Sequence, residues 1–142
     1  MDPAAARSRL LAAHRAPLAT VLDCADAVAA DWDASGFDRR TATDRAAVVG
    51  PLRTALSDAG VLDRFPGLLA DAVTAAGGTL RADPVAAPPY VTVASRGPVL
   101  RATAAAGERL VVAVEVFDVD RRPARYVRGP ATVEAALSVA VR

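Results

Sequence analysis

Lysine, asparagine, glutamine and isoleucine are missing altogether from the 142-residue chain. Cysteine, histidine, tryptophan and methionine occur once each. The lone Cys24 excludes an internal disulfide and any multi-cysteine metal site. With His14 the single histidine, the usual Cys/His zinc sites are excluded as well. Aromatics are scarce, at three Phe, two Tyr and one Trp, so Leu, Val and Ala must supply most of the core. No apolar run reaches the length that spans a bilayer, and Met1-Asp2-Pro3 lacks the basic-then-apolar plan of a signal peptide. A cytoplasmic location and no membrane partner are therefore expected. No glycine-rich loop follows a strand and opens a helix, and no G-x-S-x-G elbow occurs. These absences leave no catalytic residue, no metal site and no cofactor to expect, and they favour a non-enzymatic role.

The length suits one ordinary domain, which can fold without staples. Charge is nearly balanced at +1, with every basic residue an arginine and only Glu108, Glu115 and Glu134 among the acids that are not Asp. Such a bias reflects a GC-rich genome before it reflects function. Residues 1–71 carry ten Asp against eight Arg, and residues 72–142 carry nine Arg against six acids. The back half is mildly basic, which permits an anionic partner.

Periodicity divides the chain into a helical part, about 1–78, a connector, 79–89, and a β-rich part, 90–142. Asp2 before Pro3 is a helix start, and the helix can run to about His14. Pro17 then kinks it or begins a second helix. Leu18, Val21, Leu22, Ala25, Val28, Ala29 and Trp32 recur at helical spacing, and Gly36 ends that element. Thr43 and Asp44 offer the next start, for a stripe from Val48 to Ala59 with a bend expected at Gly50-Pro51. A third stripe runs from Leu62 to Ala76 and stops at Gly77-Gly78.

The period then becomes two. Tyr90 to Ser95 and Val99 to Thr103 form a hairpin about Arg96-Gly97-Pro98. Arg109 to Val119 is the strongest strand, apolar enough on both faces for a central position. Residues 121–130 read as an arginine-rich loop, 131–136 as a short helix, and Leu137 onward as a final strand. The expected fold is α+β, with N-terminal helices packed on one face of a C-terminal antiparallel sheet of three to five strands.

Three candidate chemistries resolve to structural roles. Cys24 sits between Asp23 and Ala25-Asp26, and carboxylates raise a thiol pKa, so it reads as a core residue. His14 beside Arg15 suits a helix C-terminus. Asp23, Asp26, Asp31, Asp33 and Asp38 spread over a solvated helix face rather than a cation loop. The remaining feature is arginine. Arg121, Arg122, Arg125 and Arg128 lie within eight residues with Tyr126 among them, and Arg96, Arg101 and Arg109 sit on or beside the hairpin. Bidentate phosphate binding with stacking on Tyr126 would make a nucleic-acid surface. Glu115, Asp118 and Asp120 are close enough in sequence to neutralise it as ion pairs. The helix before the hairpin, residues 66–76, has no arginine, which argues against a winged-helix DNA reader.

The run Ala87-Pro88-Pro89-Tyr90-Val91-Thr92-Val93-Ala94-Ser95-Arg96-Gly97-Pro98-Val99-Leu100-Arg101-Ala102-Thr103, with Arg109-Leu110-Val111-Val112 and Arg125-Tyr126-Val127-Arg128-Gly129-Pro130, resembles uncharacterised haloarchaeal proteins of similar length. The resemblance covers essentially the whole chain and implies no catalytic or binding residue. The near-neutral charge departs from the acidic pattern of salt-adapted proteins. A protein-interaction or self-associating module is the leading expectation, with a protein partner or homo-oligomer. The alternative is a nucleic-acid-associated protein using Arg121, Arg122, Arg125, Tyr126, Arg128 and Arg96.

Overall fold

Asp2 opens the first helix by accepting at Oδ1 the amides of Ala4, at 2.9 Å, and Ala5, at 3.3 Å. In the computed structural model, which describes residues 1–34, 40–121 and 124–142, that helix, α1, spans Pro3–Ala13. His14 separates it from α2, Arg15–Ala30. Pro17 falls in the first turn of α2, where its missing N–H removes no hydrogen bond, so it begins a helix and does not kink one. The stop expected at Gly36 and the acid Asp38 lie outside the described residues.

Asp44 accepts the amide of Ala46 at 2.9 Å and caps a 3-10 turn, Arg45–Ala47. Helix α3 follows as Val49–Asp58 without the expected bend. Gly50 and Pro51 occupy its first turn, where amides have no partner inside the helix. Helix α4, Phe65–Ala75, buries Phe65, Leu68, Leu69, Ala72 and Val73 along one stripe.

The strands form two four-stranded antiparallel sheets rather than one. Strands β1 (Asp33–Ala34), β2 (Arg40–Ala42), β6 (Phe117–Arg121) and β7 (Ala124–Arg128) make a first sheet in the order β1-β2-β7-β6. Strands β3 (Val91–Ala94), β4 (Gly97–Thr103), β5 (Arg109–Val114) and β8 (Leu137–Val141) make a second in the order β3-β4-β5-β8. The single long strand expected over 109–119 is broken at Glu115–Val116. There the carbonyl of Arg96 accepts the amides of both Val116, at 2.8 Å, and Phe117, at 3.1 Å. Two successive amides turned toward one acceptor cannot stay in a flat ladder, so the chain leaves one sheet and enters the other.

Residues 124–128, expected within a loop, instead pair with β6 as a hairpin and with β2. The short helix α5, Val133–Ala136, capped by the Thr132 hydroxyl, leads into β8 as expected. Gly97, at φ +144°, is required at the β3–β4 turn because a Cβ there would overlap the Val114 carbonyl oxygen.

Helices α1, α3 and α4 lie against one face of the second sheet, while α2 packs on β2 and β7 of the first. One continuous core takes Leu10, Leu18, Leu52, Leu69, Leu100, Leu110 and Phe117 from helices and strands alike. Fully burying a side chain of this size stabilises by about 1.5–3 kcal/mol. Trp32 tilts against Phe117 with ring centroids 5.0 Å apart, and its indole N–H donates to the Ala47 carbonyl at 3.1 Å. This pair joins α2 to the point where β5 gives way to β6.

Candidate functional site

Two arginines of the 121–128 segment, Arg125 and Arg128, are engaged in ion pairs at the β6–β7 hairpin. Arg125 stands directly opposite Asp120 across the two strands, with Nε 3.4 Å from Oδ2. Arg128 is only 19% exposed. It donates to Asp26 Oδ1 on α2 at 2.8 Å, and to the carbonyls of Val116 at 2.9 Å and Pro130 at 2.7 Å. Arg96 lies 3.5 Å from Glu115 and 3.4 Å from Asp118. Tyr126 is partly buried and packs against the core. Arg121 is exposed at the tip of β6, and Arg122 lies outside the described residues. The neutralising carboxylates that the sequence offered are present at Arg96, through Glu115 and Asp118, and at Arg125, through Asp120, while Arg128 takes Asp26.

The second sheet presents a different surface. Alternation sends Val91, Val93, Leu100, Ala102, Leu110, Val112, Val114 and Leu137 into the core. Their neighbours point the other way, and none of them is buried. Val99 stands opposite Ala113, and Val111 stands between Arg101 and Ala140. Val99, Val111, Ala113 and Ala140 thus form one aliphatic block at the middle of an open face, all partly exposed and none in the core cluster. An open antiparallel face ordinarily alternates to polar side chains. Here the middle strands are aliphatic, flanked by Thr92 opposite Val99 and Ser138 opposite Ala113, with Arg101 beside Val111.

One end of that face is arginine. Arg101 on β4 and Arg109 on β5 are diagonal neighbours, since Arg101 pairs with Val111 and Arg109 with Thr103. Arg109 and Arg142 exchange backbone hydrogen bonds of 3.0 and 2.8 Å, which sets their side chains directly opposite. The connector folds over the same end, where Leu80 bridges to Ala104, and the Arg81 guanidinium donates to the Ala105 carbonyl at 2.7 Å. The result is a cleft of about 330 Å³ lined by Leu80, Arg81, Pro89, Tyr90, Arg101 and Arg109, with Thr103 at its rim. Arg101 and Arg109 drew notice in the sequence only as members of the hairpin. Arg81 did not, because nothing in the chain order places residue 81 beside 101 and 109.

The other sequence candidates occupy structural positions. Cys24 is buried on α2, and burial, with the Asp23 charge beside it, raises its thiol pKa. His14 Nε2 lies 2.7 Å from Asp71 Oδ2, and Arg9 Nε lies 2.8 Å from the same oxygen, so Asp71 ties α1 to α4. Of the dispersed aspartates, Asp26 serves Arg128. No three His, Cys, Asp or Glu side chains converge among the described residues, and no helix there is long and apolar enough to cross a membrane.

Residues 4–142 match the family model of a domain of unknown function, DUF7988. The chain belongs to this family. No curated protein and no solved structure matches the DUF7988 chain. The match takes in both sheets and nearly all of α1, so the open face and the arginine cleft both lie within the family's domain.

Proposed function

We propose that this DUF7988 chain is a self-associating module that pairs with a second copy through the open face of the β3-β4-β5-β8 sheet. The observation that carries the reading is the contiguous block of Val99, Val111, Ala113 and Ala140, left without a cover on a face that solvent would ordinarily make polar. Sheets stack about 10 Å apart when small and β-branched side chains meet, and this block is made of such side chains.

Charge selects the arrangement. A two-fold axis along the strands would stack the two arginine ends on each other. An axis across the strands sets each arginine end against the Glu115 end of the other copy and avoids the repulsion. Size sets the strength. Four strands about 4.8 Å apart and five residues of about 3.4 Å each give a footprint of about 19 by 17 Å. That falls short of the roughly 800 Å² per partner of a standard interface, so the dimer should be weak and concentration-dependent.

A nucleic-acid surface on Arg121, Arg122, Arg125 and Arg128 has less support, because Asp120 and Asp26 already engage Arg125 and Arg128. The lysine-free, aspartate-rich composition and the resemblance to haloarchaeal proteins support the cytoplasm of a haloarchaeon as the setting.

Sedimentation velocity between about 10 µM and 1 mM tests the pairing over the range a weak interface implies. A monomer–dimer shift in the parent that Ala113→Arg abolishes, with helical content kept, supports it. A parent that stays monomeric throughout, or an Ala113→Arg variant that dimerises equally well, overturns it.

A further inference from the structure

We propose that the cleft between the connector and the end of the second sheet binds a small phosphorylated ligand, with Arg81, Arg101 and Arg109 holding the phosphate oxygens. None of these arginines forms an ion pair among the described residues, nor does Arg142 on the neighbouring strand. Arg9, Arg15, Arg96, Arg125 and Arg128 have carboxylate partners. Although Arg7, Arg40, Arg45, Arg53, Arg64 and Arg121 also lack one among the described residues, what sets the cleft arginines apart is their grouping at one end of one sheet. Like charges directly opposite in a sheet are destabilising, and Arg109 and Arg142 are so placed, with Arg101 on the diagonal. Glu108, adjacent to Arg109 in sequence, is engaged by the N-terminal ammonium at 2.8 Å. A multiply charged oxyanion is the ligand that would relieve this repulsion.

The geometry suits phosphate better than a carboxylate. Guanidinium groups bind phosphate oxygens in pairs of parallel hydrogen bonds, and three converging arginines can engage more oxygens than one carboxylate has. Arg81 is already oriented by its bond to the Ala105 carbonyl, which lowers the ordering cost of binding. Thr103 adds a hydroxyl at the rim. Leu80, Pro89 and Tyr90 make the rest of the wall apolar, which provides a surface for the organic part of a phosphate ester.

The size points to a small molecule and not a polymer. About 330 Å³ lies at the lower end for ligand pockets. A nucleic-acid backbone needs a basic track continuing past the cleft, but the sheet beyond Arg101 and Arg109 passes to Val99, Val111 and Ala113. The proposed dimer contact adjoins this site where Val111 stands opposite Arg101, but Ala113, the position that tests the dimer, is four residues, about 13 Å, along the strand from Arg109.

Titration calorimetry of the full chain at low salt, with inorganic pyrophosphate and with ATP as probes, tests the proposal. The parent is expected to bind at least one probe at one equivalent per chain. Arg81→Ala and Arg109→Ala should each weaken binding about tenfold or more, the effect of losing hydrogen bonds to a charged group. Both variants should melt as cooperatively as the parent, and Ala113→Arg should bind the probe normally, which separates this result from failure of the dimer reading. No binding of either probe by the parent overturns the proposal. Unchanged binding by both folded arginine variants places any site elsewhere and also overturns it. A single-stranded oligonucleotide that binds far more tightly than pyrophosphate and is lost with the same variants replaces the small ligand by nucleic acid.

Discussion

Arg128 shows how an arginine conspicuous in sequence can be consumed by architecture. One guanidinium satisfies the carbonyls of Val116 and Pro130 and the carboxylate of Asp26, so it fastens the strand break, the turn after β7 and helix α2 together. At 19% exposure it is shielded from solvent competition more than a surface pair is. Arg128→Ala leaves the Pro130 carbonyl and the Asp26 carboxylate without this donor, while the Val116 carbonyl keeps only the Gly129 amide at 2.8 Å. A loss of about 2–3 kcal/mol is expected from chemical denaturation, since hydrogen bonds to charged groups contribute about 1.5–3 kcal/mol and some would be recovered by water. Arg121→Ala is the contrasting control, because Arg121 is exposed at the tip of β6. It should change stability by no more than about 0.5 kcal/mol. Equal losses in the two variants would show that Arg128 is not the clamp.

Among the elements, the helices were the most legible in the sequence, because each carries its own signals. Asp2-Pro3 begins α1, Gly77 follows α4, and the stripe from Leu18 to Ala29 declares the buried face of α2. The first sheet was less legible. β1 and β2 are two and three residues long, too short for period-two patterning, and they depend on pairing with β7. β7 itself, Ala124–Arg128, alternates weakly and reads as a charged loop until β6 lies beside it. The candidate cleft was legible only in part: Arg101 and Thr103 alternate with buried Leu100 and Ala102, but the meeting of Arg109 with Arg142 requires the β5–β8 register.

Helix docking adds a pH prediction at the same scale. Hydrogen bonds from Arg9 and then from His14 hold the Asp71 carboxyl below its ordinary value of 3.8. A lowered native pKa means that the unfolded state binds more protons, so the contribution is fully present above the ordinary value and disappears as pH falls through the native one. Asp71→Asn should therefore destabilise the chain by about 1 kcal/mol or less near neutral pH, given the partial exposure of the group. The difference from the parent should shrink below about pH 4 as the parent protonates. Thermal melts of both proteins between pH 3 and pH 7 measure it, and a gap that widens in acid would contradict the assignment.

For the whole molecule, one sheet face is asked to do two physically different things, and salt separates them. The central block of Val99, Val111, Ala113 and Ala140 associates by removing apolar surface from water, which added salt does not weaken. The arginine cleft attracts its ligand through charge, and the screening length falls from about 10 Å at 0.1 M to about 3 Å at 1 M. Raising salt from about 0.05 to 1 M should therefore leave the dimerisation constant within about twofold and lower pyrophosphate affinity about tenfold or more. Sedimentation and calorimetry on the same samples give both numbers. If the dimer weakens in step with the anion, Arg101 and Arg109 must be holding the second copy through its Glu115 end, and the apolar block is not the contact that drives pairing. If the dimer persists while the anion is lost, the face and its end are separate sites, and occupancy of the cleft can change without dissolving the pair.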